Sequence, residues 1–402
     1  MRIISDLHIH SRFSRACSKQ ITIPNLEKWA RVKGVNLLGT GDFTHPLWLK
    51  ELKNELTFDN GVLKTKSGFP FILQSEISLI YSQDGKGRRI HNVFLAPNFE
   101  VVDQIVEKLL KIGRIDYDGR PIFGISCVEF VEMMRGISKD IEVIPAHIWT
   151  PWFSLFGSKS GFDKIEDCFK DQTKYIHALE TGLSSDPEMN RRVSSLDKYN
   201  LVSFSDMHSF WPWRIGREAT IFDTELNYDK IINAIRTKEG LKGTIEVDPS
   251  YGKYHFDGHR ACDVSLDPKD SIKKNNICPK CGKGLTIGVL HRVEELADRE
   301  KGPEDYFKTL IPLSELISSY VGTSVSSKKV EQIHIKLMNL FKSEFNVLLD
   351  VSYEDLKKAV DEKLAELIIK NRENKLEVIP GYDGEYGKLD LEEKKQKSLS
   401  EF

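Results

Sequence analysis

Between the N-terminus and about Thr220, short apolar runs alternate with amphipathic stretches. RIIS, NLLGTGD, FPFILQSEISLIY and NVFLAP have the continuous apolar character of buried strands, whereas PNLEKWARVKG and VVDQIVEKLLKIG space their apolar residues as helices do. Strands alternating with helices predict an α/β fold of βα units. Catalytic side chains in such folds gather at the carboxyl ends of the strands. His8, His10, Asp42, Glu76, His147 and Asp206 each stand at or just after an apolar run, so one rim is expected to collect them. A helix over LNYDKIINAIRTKEG closes this unit near residue 240.

The pattern then changes twice. Residues 241–300 are poor in apolar positions and hold a cysteine cluster, and the block is too small to fold on a core alone. Residues 301–380 turn helical: Val330, Ile333, Leu337, Leu340 and Phe341 share one spacing, and Leu356, Val360, Leu364 and Leu367 share another after a cap at Ser352. Residues 381–402 lack a core pattern and read as a tail.

At 402 residues the chain is long enough for two or three packed units. Lys plus Arg number 58 against 60 Asp plus Glu, so a formal charge of -2 gives no global attraction to nucleic acid, membrane or an acidic partner. Any such partner must meet a local patch. The start, MRIISDLHIH, lacks the basic flank of a signal peptide, and no run approaches a membrane span. A soluble, cytoplasmic protein is expected. Cys17, Cys127 and Cys168 are scattered and read as core thiols.

His8 and His10 alternate along one strand, so both side chains point the same way and can share a metal. A lone H-x-H pair is equally compatible with two surface imidazoles. The recurrence of ligand types is not: Asp42 ends GTGD, Glu76 ends LQSE, His91 stands in RIHNVFL, His147 ends IPAH, and Asp206 and His208 stand in SFSDMHS. Paired divalent metals lower the pKa of water toward neutrality and stabilise the charge that builds up at phosphorus, which points to hydrolysis of a phosphate ester. Arg191, Arg192, Arg214 and Arg217 flank the third and fourth of these motifs and are candidates for a phosphate clamp. Each taken singly is as readily a structural arginine.

DLHIHS, GTGDFTH, IPAH and SDMHS, with the glutamate of LQSE between them, resemble the motifs of the polymerase-and-histidinol-phosphatase (PHP) superfamily over about the first 240 residues. The resemblance implies a distorted (β/α)7 barrel with two or three divalent metals (Zn, Mn or Mg) and a phosphoesterase activity. It places one metal on His8, His10, Glu76 and Asp206, a second on Glu76, His91 and His147, and a third with His208. The second motif departs from the family pattern, because Asp42 is followed by Phe43 with His45 two places on. Asp42 is kept in the site, with His45 and Cys17 as substitute ligands.

His259-Arg-Ala-Cys262 and Cys278-Pro-Lys-Cys281 are two ligand pairs of equal spacing, a structural-zinc signature. His255 and His291 compete for the fourth place, and His259 is preferred because it completes the paired spacing. Lys269, Lys273, Lys274, Lys280, Lys283 and Arg292 surround the cluster. A charge run is usually a solvated face. Beside a phosphoesterase barrel, it also suits a nucleic-acid backbone.

PAHIWTPWFSLFGSKSGFD, LETGLSSDP, SDMHSFWPWRIGREA, HRACDV with CPKCG, and LTIGVLHRVEELADR together resemble the endonuclease Q family, which implies a PHP domain, a zinc-binding domain and a C-terminal helical domain in that order. It further implies nicking of damaged DNA 5′ to uracil, hypoxanthine, xanthine or an abasic site, leaving a 3′-hydroxyl. Reading a deaminated base requires its exposed edge, hence base flipping. Trp149, Trp152, Phe210 and Trp211, with Phe153, Phe156 and Trp213 nearby, are candidates for a base pocket or wedge, although core packing is the blander role for each. Gln396, Leu399 and Phe402 fit a motif by which repair proteins dock a sliding clamp. Two rival readings are a small-molecule PHP phosphatase of the histidinol-phosphate kind and a non-catalytic DNA- or clamp-binding scaffold.

Overall fold

The strand Arg2–Asp6 is buried over its last four residues, which only a strand covered on both faces can be. It pairs in parallel with Leu37–Gly39, which pairs in parallel with the long strand Pro70–Gln83. That strand turns back antiparallel into Lys86–Ala96, whose other edge takes Glu142–Pro145. The parallel pair Ala178–Glu180 and Asn200–Val202 follows. Two bonds stitch this pair into the ring: the Ile148 amide donates to the Glu180 carbonyl, and the Ser203 amide to Thr220 Oγ1. Strand Ala219–Asp223, antiparallel to Arg2–Asp6, completes it. The computed structural model describes residues 1–390.

The expected distorted barrel is therefore present, and its distortion has an address. Lys86–Ala96 and Ala219–Asp223 run against the parallel strands, so a hairpin and a returning strand replace simple βα crossovers. One buried cluster takes Ile3, Leu37, Ile72, Val93, Ile144, Ala178, Val202 and Phe222, a residue from each strand of the ring, and fills the lumen. Helix Tyr228–Thr237 plugs one end of it with Ile231, Ile232 and Ile235. A second cluster lies between the barrel and its outer helices and runs on into the C-terminal helices.

The sheet does not end at residue 240. Leu241–Glu246 pairs with Ala219–Asp223, and Phe307–Thr309 pairs in parallel with Leu241–Glu246. Residues 257–288 form a small unit with only Val264, Cys278 and Leu285 in its core. Beyond it, helices Leu313–Val321 and Lys328–Phe341 pack on the barrel. Ser352 caps the next helix as expected, by accepting from the Asp355 amide. The run Leu356–Leu367 is nonetheless two helices: the chain is extended at Val360, and Asp361 caps a new helix, Glu362–Arg372.

The tail reading needs correction for residues 381–390. Glu377–Ile379 and Lys388–Asp390 form a hairpin, and Gly381 and Gly387 donate to the carbonyls of Ser250 and Tyr251. Backbone hydrogen bonds hold this segment, and an apolar pattern does not register them. Gln396, Leu399 and Phe402 lie outside the described residues. Among the described residues, no helix is long and apolar enough to cross a membrane.

Candidate metal centre

Glu76 sits midway along Pro70–Gln83 and is fully buried, and its two oxygens face two groups of imidazoles. Oε2 lies 3.1 Å from His10 Nε2 and 3.4 Å from His8 Nε2. Oε1 lies 2.8 Å from His91 Nδ1 and 3.4 Å from His147 Nε2. Asp206 Oδ1 closes the first group, 3.1 Å from His10 Nε2 and 3.6 Å from His8 Nε2. The ligand atoms of His8, His10, Glu76 and Asp206 gather within 4.8 Å of one another, as do those of Glu76, His91 and His147. One carboxylate thus joins two sets of donors.

The donors fit divalent cations. His8 Nε2 and Glu76 Oε1, one in each group, are buried and make no hydrogen bond, a costly state that a cation in each group would relieve. His8 Nδ1 is held at 2.8 Å by Glu180, and His10 Nδ1 at 3.0 Å by Asp42, so each ring turns its other nitrogen to the centre. Burial works against charge on both rings. Glu180, Glu76 and Asp206 outweigh it for His8, and Asp42 and its neighbours do so for His10, holding both well above the ordinary histidine range. Burial likewise disfavours the Glu76 and Asp206 anions, but the facing imidazoles and, for Glu76, Arg120 pull both carboxyls well below their usual range.

Local backbone aims these groups. Asp42, His147 and Asp206, each just past a strand, have positive φ of 39°, 31° and 46°, a region that non-glycine residues enter at a cost and that collects at functional sites. Gly182 is required beside His147, because a Cβ there would lie 2.6 Å from the His147 Cβ. Gly119 is required by a similar approach to Asp42 and Ser14.

Several expected residues are placed differently. Asp42 lies behind His10, bonded to His10 Nδ1, the Ser11 amide and Ser14 Oγ, so it orients the His10 ring rather than facing the centre. His208 stands outside both groups, its ring 4.7 Å from that of His10. His45 stacks on Phe13 at the start of helix Pro46–Glu55. Cys17 lines the cleft wall, its thiol pushed by burial up to about 12. Among the described residues no third ligand group forms around Asp42 and His208.

The arginines divide. Arg191 is buried and bonds Asp305 and the carbonyls of Leu196 and Tyr199, and Arg192 pairs with Glu294, so neither is a phosphate clamp. Arg214 and Arg217 do reach the site: with Asp206, His208, Ser209 and Tyr386 they line a cleft of about 420 Å³. Their inner faces are occupied, Arg217 by the Ser205 carbonyl and Arg214 by Glu315 at 3.4 Å. Of the aromatic candidates, Trp149 is core, its Nε1 donating to Asn190, and Phe210 is buried. Trp152 and Trp211 keep 36% and 38% of their surface exposed, and Trp211 stacks flat on Trp213.

Two members of the site went unassigned from the sequence. Glu180, the His8 partner, ends strand Ala178–Glu180 as other site residues end theirs, and that signal was legible in HALE. Arg120, which donates to Glu76 at 2.9 Å, stands in an irregular loop with no such signal.

His259, Cys262, Cys278 and Cys281 form the separate third group, with their donors within 4.8 Å. His291 is bonded to Asp257 instead, and half-buried His255 is not part of the group, its imidazole pulled down by desolvation to about 4. Burial opposes the Cys278 thiolate, but hydrogen bonds from His259 and the Lys280 and Cys281 amides bring its thiol down to about 6, while Cys262, crowded by the other sulfurs, is pushed up to about 11. Three thiols that cannot all ionise at once, converging with one imidazole, suit a soft divalent cation such as zinc. Lys269, Lys273, Lys274, Lys280 and Lys283 are exposed around it, with Lys273 beside Asp270, whereas Arg292 turns inward.

Residues 312–375 match the family model described as the MJ0043 C-terminal domain. The chain is 33% identical over 297 residues, 71% of its length, to the uncharacterized protein MJ0043 of Methanocaldococcus jannaschii, and spans only 36% of that relative. It is similar over 98% of its length to the crystal structure of the lesion-specific endonuclease PfuEndoQ from Pyrococcus furiosus, covering 96% of that chain at 33% identity and a TM-score of 0.88. A structure of Endonuclease Q in complex with a 27-mer duplex substrate, with an abasic lesion at the active site, matches at 34% identity and a TM-score of 0.88, with 98% of this chain and 97% of that one covered.

Proposed function

This chain belongs to the endonuclease Q family, and from that membership we propose that it is a metal-dependent, lesion-specific DNA endonuclease. It hydrolyses the phosphodiester 5′ to a deaminated base or an abasic site and leaves a 3′-hydroxyl. The observation that carries the reading is Glu76, whose two oxygens each face a separate set of imidazoles beside an open cleft.

His8, His10, Glu76 and Asp206 would hold one divalent cation, and Glu76, His91 and His147 a second. Such a pair supplies Lewis acidity and a nucleophilic water at neutral pH. The chain's own residues do the rest. Glu180 and Asp42 fix the tautomers of His8 and His10, so that both Nε2 atoms stay directed at the centre. Arg120 presents a guanidinium to the same space, where it stabilises negative charge growing on the phosphate oxygens. Arg214 and Arg217 add positive charge along the cleft wall.

A second cavity of about 200 Å³, lined by Leu183, Val247, Tyr251 and Glu315, shares Arg214, Arg217 and Tyr386 with the metal cleft, and it suits an extrahelical base. Trp152 and Trp211 remain as stacking surfaces for the duplex, and the exposed lysines of the cysteine-bearing unit as a sequence-independent grip on its backbone. The Gln396, Leu399 and Phe402 pattern extends the proposal to a sliding clamp as partner.

The test is incubation of labelled duplexes carrying uracil, hypoxanthine, an abasic site or no lesion with the purified protein and Mn²⁺, Mg²⁺ or Zn²⁺. Lesion-dependent nicks 5′ to the altered nucleotide are expected, falling to background in Glu76→Gln. No nick with any metal, or equal nicking of undamaged DNA, overturns the reading.

A further inference from the structure

We propose that the cysteine-bearing unit positions one half of the metal centre, the Glu76–His91–His147 half, and that Arg292 is the positioning residue through which it does so. The proposal rests on the reading of that cluster as a metal site.

The connection can be followed bond by bond. Asp257, two residues before the ligand His259, is fully buried and accepts from the Gly288 amide at 2.7 Å and from His291 Nδ1 at 2.5 Å. It thereby ties the strand that carries His259 to the start of helix Val289–Leu296. Arg292 on that helix, just beyond the unit, sends its guanidinium into the loop that follows His147. Its Nε donates to the Phe156 carbonyl at 3.0 Å, its Nη2 to the Phe162 carbonyl at 3.3 Å and to Asp163, and its Nη1 to Glu295 at 2.9 Å. The side chain is only 13% exposed, and its bonds to the Phe156 and Phe162 carbonyls are partly shielded from water, whereas those to Asp163 and Glu295 reach the surface.

The clamped loop touches both imidazoles of that half. The Phe153 carbonyl accepts from the His91 amide at 3.0 Å, and the Phe153 ring lies 4.7 Å from the His91 ring. Phe153 holds a positive φ of 61°, a conformation that its surroundings must impose. Thr150 Oγ1 meets His147 Nδ1 at 3.1 Å and donates to the Trp152 carbonyl. The Trp152 ring in turn meets Tyr254 edge-on at 5.4 Å, a second contact from the segment leading into the cysteine-bearing unit. His8 is held by Glu180, and His10 by Asp42 and the Met207 carbonyl, none of which Arg292 touches, although Glu180 also accepts from the His147 amide at 2.7 Å. Groups that orient metal ligands from behind typically change metal affinity about 10–100-fold when removed. A lever that reaches one half only should weaken one metal only.

The experiment is a Mn²⁺ titration of the full chain, followed by calorimetry and by electron paramagnetic resonance, for wild type, His91→Ala, Arg292→Met and the double variant. In Arg292→Met one Mn²⁺ site should weaken about 10–100-fold while the other keeps its affinity and the zinc content stays at the wild-type level. His91→Ala identifies the affected site, and adding Arg292→Met to it should leave the remaining site unchanged. Should Arg292→Met fail to fold, Tyr254→Leu removes only the ring contact and should weaken the same site by a smaller factor. Unchanged affinities at both sites, or both falling together, overturn the proposal. Neither result depends on nuclease activity, so failure of wild type to nick damaged DNA sinks the proposed function without deciding this question.

Discussion

Cys281 and His259 meet across 22 positions of sequence, whereas His10 and Asp206 meet across 196. Behind the first pair stands a core of Val264, Cys278 and Leu285, and behind the second a filled barrel lumen and a mantle of helices. Around the cysteines, then, little but a cation can supply folding free energy, and the ligands lie close enough in sequence to find one another. At the rim the roles reverse, because the protein has already spent its burial on bringing Glu76 between four imidazoles.

The largest expected effect breaks the two regions apart. Structural zinc in small units contributes roughly 10 kcal/mol or more, so Cys278→Ser should expose residues 257–288 to proteolysis and hydrogen exchange while the barrel keeps its far-UV signal. Equal protection of that segment in wild type and variant would mean that its stability has another source.

A smaller effect concerns what holds the barrel's frame. Lys33 is buried against Glu344 at 2.6 Å and the Pro212 carbonyl at 2.9 Å, while Glu344 also meets His334 and the Leu313 amide, joining a barrel helix to the C-terminal helices. Burial opposes the Glu344 anion, but Lys33 and His334 bring its carboxyl down to about 2 from an ordinary 4.5. The folded state therefore binds fewer protons between those values, so this stability is complete above about pH 4.5 and lost as pH falls toward 2. Glu344→Gln leaves Lys33 without its partner and should lower stability at neutral pH by about 3–5 kcal/mol, with a flatter acid limb in denaturant melts. A chelator should not reproduce that loss. If it does, the frame depends on metal after all.

The smallest effect sharpens the rim itself. Glu180→Gln keeps the shape but weakens the hold on His8 Nδ1, and should reduce affinity at the His8–His10 site by about 10–100-fold in a Mn²⁺ titration, with a smaller fall at the His91–His147 site, because Glu180 also accepts from the His147 amide at 2.7 Å. An equal fall at both sites would argue that Glu76 couples them too tightly to be addressed singly.

Which donors gather was largely legible, and which residues support them was not. His8, His10, Glu76, His147 and Asp206 stood at or after apolar runs, and the paired spacing favoured His259 over His255 and His291 in the cysteine group. Asp42 followed the same rule and was therefore read as a ligand, because strand-end placement does not tell whether a carboxylate faces the centre or the back of His10. Arg191 and Arg120 show the opposite failure. Flanking a motif put Arg191 forward, yet it is locked on Asp305 and on carbonyls, while Arg120 reaches Glu76 from a loop that no periodicity marks.

Period and spacing are local properties, and they determined the βα rhythm, the rim on which the ligands gather and the cysteine pairs. Direction, depth and pairing are not local. Only the tertiary structure turned Lys86–Ala96 back against its neighbour, placed Arg292 inside rather than on a basic face, and put the two oxygens of one glutamate between imidazoles drawn from three separate segments. Those outcomes depend on which buried donors find which acceptors across the chain, and a linear pattern does not contain that competition.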